Sequence, residues 1–299
     1  MLLSTQKFVR LYTYNMYKHN SNMTKCQYED LIKYLKDKDL QGVVNLYEKN
    51  TFIRIRSMEY TLKSGFIPFV DYLLYKGHKW NIMDSLYAVE NGTVPILEHI
   101  INKGCRVNDD ILIICAQKGY IDCLKYLLKL DINHRNLERC YIEASKYGQF
   151  QILVQLFMYD KGKNITDECG IAASGYRSPQ SKNEPTESLQ CLNFLVSAGC
   201  RMTYKTMSHA CVVGNLQCVK YLYAQYCPID NKSIDHASYS GHIECLKFLL
   251  KNKCPFTEDA LFLAKCKNNI ECIKVLKEHM DPHDIATSYR KNDEYFEKE

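Results

Sequence analysis

The stretch GHIECLKFLL, Gly241–Leu250, is followed by NNIECIKVLK, Asn268–Lys277, and preceded at the same interval by GNLQCVKYLY, Gly214–Tyr223. One pattern spelt three times at one spacing signals an internal repeat, and repeats decide a fold before any other feature does. With Gly241 as anchor, the equivalent positions behind it are Gly214, Glu187, Gly148, Gly119, Gly92, Gly65 and Lys38, and ahead of it Asn268. Most steps keep the interval from Gly214 to Gly241, and the step from Gly119 to Gly148 is slightly longer. The step from Gly148 to Glu187 is lengthened by an inserted segment, SPQSKNEPTE, residues 178–187.

The columns carry the secondary structure. Two residues after the anchor stand Leu40, Ile67, Val94, Ile121, Phe150, Leu189, Leu216, Ile243 and Ile270. Five after stand Val43, Val70, Leu97, Leu124, Leu153, Leu192, Val219, Leu246 and Ile273. Eight after stand Leu46, Leu73, Ile100, Leu127, Leu156, Leu195, Leu222, Leu249 and Leu276. Steps of three to four place these columns on one face of a helix that begins just after the anchor. Four before the anchor runs a column of small residues: Thr61, Ala88, Cys115, Ala144, Ala173, Ala210, Ala237 and Ala264. Seven before it stand Met58, Leu112, Tyr141, Met207, Ile234 and Leu261. Small side chains in register imply close approach of a neighbouring helix. Each unit therefore reads as helix, turn at glycine, helix. Neither helix covers its apolar face alone, so the units must stack.

The segment ASYSGHIECLKFLLKNKCP, Ala237–Pro255, resembles the core of an ankyrin repeat: the small column, the Gly241-His242 pair, the apolar run and a helix-ending glycine at Gly77, Gly104 and Gly199 all match. The resemblance covers residues 28–280. It departs from the family in length, since an ankyrin unit runs about 33 residues and opens with Thr-Pro-Leu-His, which is absent here. The projecting turn between units is read as trimmed. The short form, rich in Cys, Tyr, Lys and Asn, is similar to ankyrin-repeat proteins of giant DNA viruses of amoebae, mimivirus-like. The expected fold is an all-α helix-turn-helix solenoid of eight to nine short ankyrin-like repeats. Residues 1–27 form a basic arm, 28–280 the repeats, and 281–299 an acidic tail.

Composition fits a folded chain: 46% hydrophobic and 24% charged over 299 residues, with net charge +5. No apolar run is long enough to span a bilayer, and the first residues hold no secretory apolar core, so no membrane contact and a cytoplasmic location are expected. The fifteen cysteines lack any Cys-x-x-Cys pair. They fall four after the anchor (Cys123, Cys191, Cys218, Cys245, Cys272) or thirteen after it (Cys105, Cys200, Cys227, Cys254), a ladder of small buried side chains rather than a metal cluster. The chemistry-bearing motifs are missing as well: no phosphate loop, zinc-protease helix or calcium loop. The sequence predicts no catalytic residue, no cofactor and no metal; the chain is not an enzyme. His242, beside an anchor glycine at a helix start, is assigned a polar capping or surface role.

What the resemblance implies is protein–protein interaction, by a monomer, through positions one and two before the anchor, where ankyrin-like repeats meet partners. The candidates are Lys63, Glu90, Gln117, Lys146, Tyr147, Tyr176, Val212, Val213 and Tyr239. Exposed aromatic and aliphatic side chains among charges suit such a surface. Two other functions stay open: an adaptor recruiting substrates to a ubiquitin ligase, and nucleic-acid contact through the basic arm.

Overall fold

The computed structural model describes residues 25–130, 136–175, 186–281, 283 and 285. Its described residues hold eighteen α-helices and no strand. Two helices per repeat give nine repeats. In order the helices are α1 (Lys25–Lys36), α2 (Leu40–Lys49), α3 (Thr51–Ser64), α4 (Ile67–Tyr75), α5 (Asp84–Val89), α6 (Val94–Asn102), α7 (Ile111–Lys118), α8 (Ile121–Lys129), α9 (Leu137–Lys146), α10 (Phe150–Asp160), α11 (Asp167–Ser174), α12 (Thr186–Ser197), α13 (Tyr204–Val213), α14 (Leu216–Ala224), α15 (Lys232–Ser240), α16 (Ile243–Lys251), α17 (Asp259–Cys266) and α18 (Ile270–Lys277). The chain divides into two compact units, one ending at Ile111 and the other starting at Leu112.

In unit 1 the first helices of successive repeats, α1, α3 and α5, pack side by side, and α2 packs on α4. In unit 2 the same holds for α9, α11, α13, α15 and α17, with α10, α12, α14, α16 and α18 as the second layer. The small column explains the close approach: Thr61, Ala88, Cys115, Ala144, Ala173, Ala210, Ala237 and Ala264 are all fully buried. Ala173 is buried with the rest of the column. Of that insertion, residues 178–185 lie outside the described residues, as do residues 1–24 of the arm and most of the tail, while Thr186 and Glu187 open α12.

The second helices bury a different face from the one expected. Positions five and eight after the anchor are core, from Val70 and Leu73 through Leu246 and Leu249. Position two is not: Ile67, Val94, Ile121, Phe150, Leu189, Leu216 and Ile243 are half-buried, and Leu40 and Ile270 are exposed. Position four takes its place, with Phe69, Ile96, Cys123, Ile152, Cys191, Cys218, Cys245 and Cys272 buried. At about 100° per residue, positions four, five and eight span about 100° of the helix, and position two falls about 60° outside that arc.

The turn at the anchor is left-handed. Gly214 and Gly241 both have φ +76°, and the neighbouring repeat gives a second reason for glycine there. A Cβ on Gly214 would meet the His242 ring at 2.4 Å, and one on Gly241 would meet Asn269 Oδ1 at 2.9 Å. These polar side chains reach back one repeat to carbonyls freed at the end of a first helix. His242 Nε2 lies 3.0 Å from the Val212 carbonyl, while Asn269 Nδ2 donates to Ser238 O at 2.8 Å and Tyr239 O at 2.9 Å. In unit 1, Asn91 Nδ2 donates to Lys63 O at 3.1 Å. His242 precedes α16 without capping it through its side chain; its ring ties two repeats together instead of serving as the expected cap. At the non-glycine anchors Lys38 and Asn268 the left-handed turn persists, with φ 54° and 55°, whereas Glu187 lies within α12.

Candidate functional site

The residues one and two before the anchor end the first helices. In unit 1 the structure joins the two expected there. Lys63 Nζ, at the end of α3, lies 3.0 Å from Glu59 Oε1 and 3.1 Å from Glu90 Oε2, just past α5 in the next repeat. Its ammonium also stands 4.9 Å from the centre of the Tyr87 ring. Arg56 completes the cluster, 3.1 Å from Glu59 Oε2. Burial works to lower the Lys63 pKa, but the hydrogen bond and charge of Glu59, then those of Glu90, outweigh it and the net shift is upward. In unit 1 these positions are paired charges.

In unit 2, Gln117 and Lys146 meet at Glu143, which the sequence reading passed over. Gln117 Nε2 donates to Glu143 Oε2 at 3.0 Å, and Lys146 Nζ lies 3.9 Å from the same oxygen. Lys146 also stands 5.4 Å from the Tyr147 ring centre. Tyr176 falls outside the described residues. Farther along, the face turns apolar. Val212 is 38% exposed and Tyr239 42%, with Val213 half-buried beside them. Lys267 Nζ covers the Tyr239 ring at 4.8 Å.

The structure adds residues at positions five and nine before the anchor: Lys205 and His209 on α13, Lys232 and His236 on α15. Their signal was present in the sequence, because positions nine, five and two before the anchor follow i, i+4, i+7 spacing and share a helix face. His209 is half-buried with Nδ1 3.3 Å from Ser174 Oγ, and burial lowers its pKa, so it is neutral at pH 7. Ser174 donates its proton to Ile171 O at 2.7 Å, so the pair has no poised hydroxyl.

The thiols behave as core. Burial pushes Cys191, Cys200 and Cys105 up to about 12, and Cys123, Cys218 and Cys227 up to about 11, so all are protonated at neutral pH. Two of the thirteenth-position thiols reach back to the start of their own repeat: Cys200 Sγ lies 3.2 Å from Thr166 O and Cys227 Sγ 3.3 Å from Thr203 O. Among the described residues no three His, Cys, Asp or Glu side chains converge as metal ligands, and no helix is long and apolar enough to cross a membrane.

Comparison with known proteins gave one family match and a solved structure of low similarity. Residues 85–169 match the family model described as ankyrin repeats in three copies. The crystal structure of the human ASB11 ankyrin repeat domain matches at 18% identity and TM-score 0.46, over 57% of this chain and 83% of that one. No curated protein matches. The described residues form an all-α helical repeat protein, and residues 85–169 are the part that matches ankyrin repeats.

Proposed function

We propose that this chain is a non-enzymatic scaffold that binds another protein through the exposed face of its first helices. Residues 28–280 then form the working repeat region, between a basic arm and an acidic tail. The observation that carries the reading is Val212 and Tyr239: apolar side chains held out to water on a face that the stack leaves unused, beside cations. Ankyrin repeats generally mediate protein–protein contact, which fits the match over residues 85–169. The partner is a protein of the host cell or of a virus, met in the cytoplasm by a monomer of this chain; the fourteen cysteines from Cys105 to Cys272 stand as thiols rather than disulfides, which suits a reducing compartment. Affinity capture with the full chain tests this. A captured protein should be lost when Val212 and Tyr239 are both changed to Asp, and retention of every captured protein by that variant would refute the reading.

A further inference from the structure

On α13, α15 and α17, positions nine, five and two before the anchor form three parallel lines: Lys205, His209, Val212; Lys232, His236, Tyr239; and Asp259, Leu263, Cys266. The opposite sides of these helices are consumed by the stack, with Met207, Ala210, Ile234, Ala237, Leu261 and Ala264 buried. Lys205 and Lys232, by contrast, are exposed.

The charge on this face is uncompensated. At the same register on α3, Arg56 is paired with Glu59 at 3.1 Å. Lys205 and Lys232 have no acidic partner among the described residues. The nearby acids are engaged elsewhere: Asp230 accepts from Ser208 and Ser233 at 3.2 Å each, Asp235 is buried, and Asp259 is half-buried with a partner of its own. Positive charge is therefore shown to water on two adjacent repeats, with Val212 and Tyr239 two helical turns away.

We propose that this face of α13 and α15 docks an acidic protein segment, its carboxylates on Lys205 and Lys232 and an apolar side chain against Val212 and Tyr239. The proposal rests on the protein-binding reading above and names the partner's chemistry. Neighbouring packed helices lie about 8–10 Å apart, which matches carboxylates three residues apart in an extended chain at about 3.3 Å per residue. A nucleic acid fits less well. The Tyr239 ring is covered by Lys267 rather than open for a base to stack on. Asp259 ends the row of cations on α17, where a phosphate backbone would demand another.

Panning a random peptide library displayed on phage against the immobilised full chain tests the proposal. Enriched peptides should carry Asp or Glu three residues apart together with an aromatic or aliphatic residue. The best peptide, remade with Gln for Glu, should bind at least about tenfold more weakly. Lys205→Glu/Lys232→Glu should abolish its binding and Lys205→Ala/Lys232→Ala should weaken it, each variant keeping the parent's circular dichroism and melting temperature. Enrichment without acidic residues, no enrichment at all, or acidic peptides indifferent to both double variants overturns the proposal. So does single-stranded DNA that binds more tightly and competes at the same lysines. A natural partner that needs Val212 and Tyr239 but ignores Lys205 and Lys232 overturns this inference alone. Capture that ignores all four residues defeats the protein-binding reading beneath it.

Discussion

Gly214→Ala separates two reasons for a glycine that sequence patterns cannot tell apart. Gly214 has φ +76° and Gly199 has φ +86°. Alanine at either site meets left-handed strain of about 1–2 kcal/mol and narrows the unfolded ensemble alike. The surroundings differ. An added Cβ at Gly199 has no atom within 4 Å, whereas at Gly214 it would lie 2.4 Å from the His242 ring. The ring must move, and its bond to the Val212 carbonyl is lost, costing about 1 kcal/mol. Gly214→Ala should therefore cost about 2–3 kcal/mol and Gly199→Ala about 1–2 kcal/mol. Urea unfolding followed by far-UV circular dichroism gives the totals. Amide exchange is measured alongside, because a repeat array need not unfold in one step. In a His242→Ala background the obstruction is gone, so Gly214→Ala should then cost no more than Gly199→Ala. That coupling, about 1 kcal/mol, is the decisive number. Equal costs for both glycines in the parent chain, or no coupling, would refute the idea that the anchor glycine makes room for the next repeat.

Leu246→Ala, at a fully buried site, should cost about 2–5 kcal/mol in the same titration, and Lys247→Ala, exposed beside Glu244, no more than about 0.5 kcal/mol. Tyr226 is 92% exposed yet held at φ 55°, so Tyr226→Gly should raise stability by about 1 kcal/mol; a loss would mean that the ring is packed. Because the folded pKa of His209 is depressed, its contribution to stability is complete above its unfolded value near 6.5 and is lost as pH falls below it. The folded state resists a proton that the unfolded state accepts, so His209→Gln should flatten the stability profile as pH falls below about 6.5. Brief iodoacetamide treatment of the native protein, read by mass spectrometry, should label Cys266, which is half-buried, well ahead of Cys191 and Cys218.

The repeat, its period and the helix-turn-helix unit were legible because the stack imposes the same demand at the same register. Glycine at Gly214 and alanine at Ala210 and Ala237 are tightly restricted choices, so the letters recur. Position two was misread because an apolar letter at a helix start looks the same whether it lies on the core arc or just beside it. The position-four cysteines were legible as a buried ladder, and what the sequence did not show is that they share one buried face with positions five and eight. The ties between repeats were invisible for a different reason. His242 bonds the Val212 carbonyl one repeat back, and Gln117 meets Glu143 one repeat on. A polar letter with so distant a partner reads as surface.

The division of labour within each first helix explains why function was the harder part to read. Positions seven and four before the anchor carry the stack, and their chemistry is constrained at every repeat, as Met207 with Ala210 and Ile234 with Ala237 show. Positions nine, five and two share the opposite face, where the stack fixes the register but not the residue. The letters there change freely from Lys205 to Lys232 to Asp259, and from Val212 to Tyr239 to Cys266. A periodic search discards such columns as noise. At the exposed ones, Lys205, Val212, Lys232 and Tyr239, an exchange leaves stability nearly untouched, within about 0.5 kcal/mol, while altering the contacts the face makes. A repeat chain of this kind is read for fold along the columns that agree, and for binding along the columns that disagree while keeping their register.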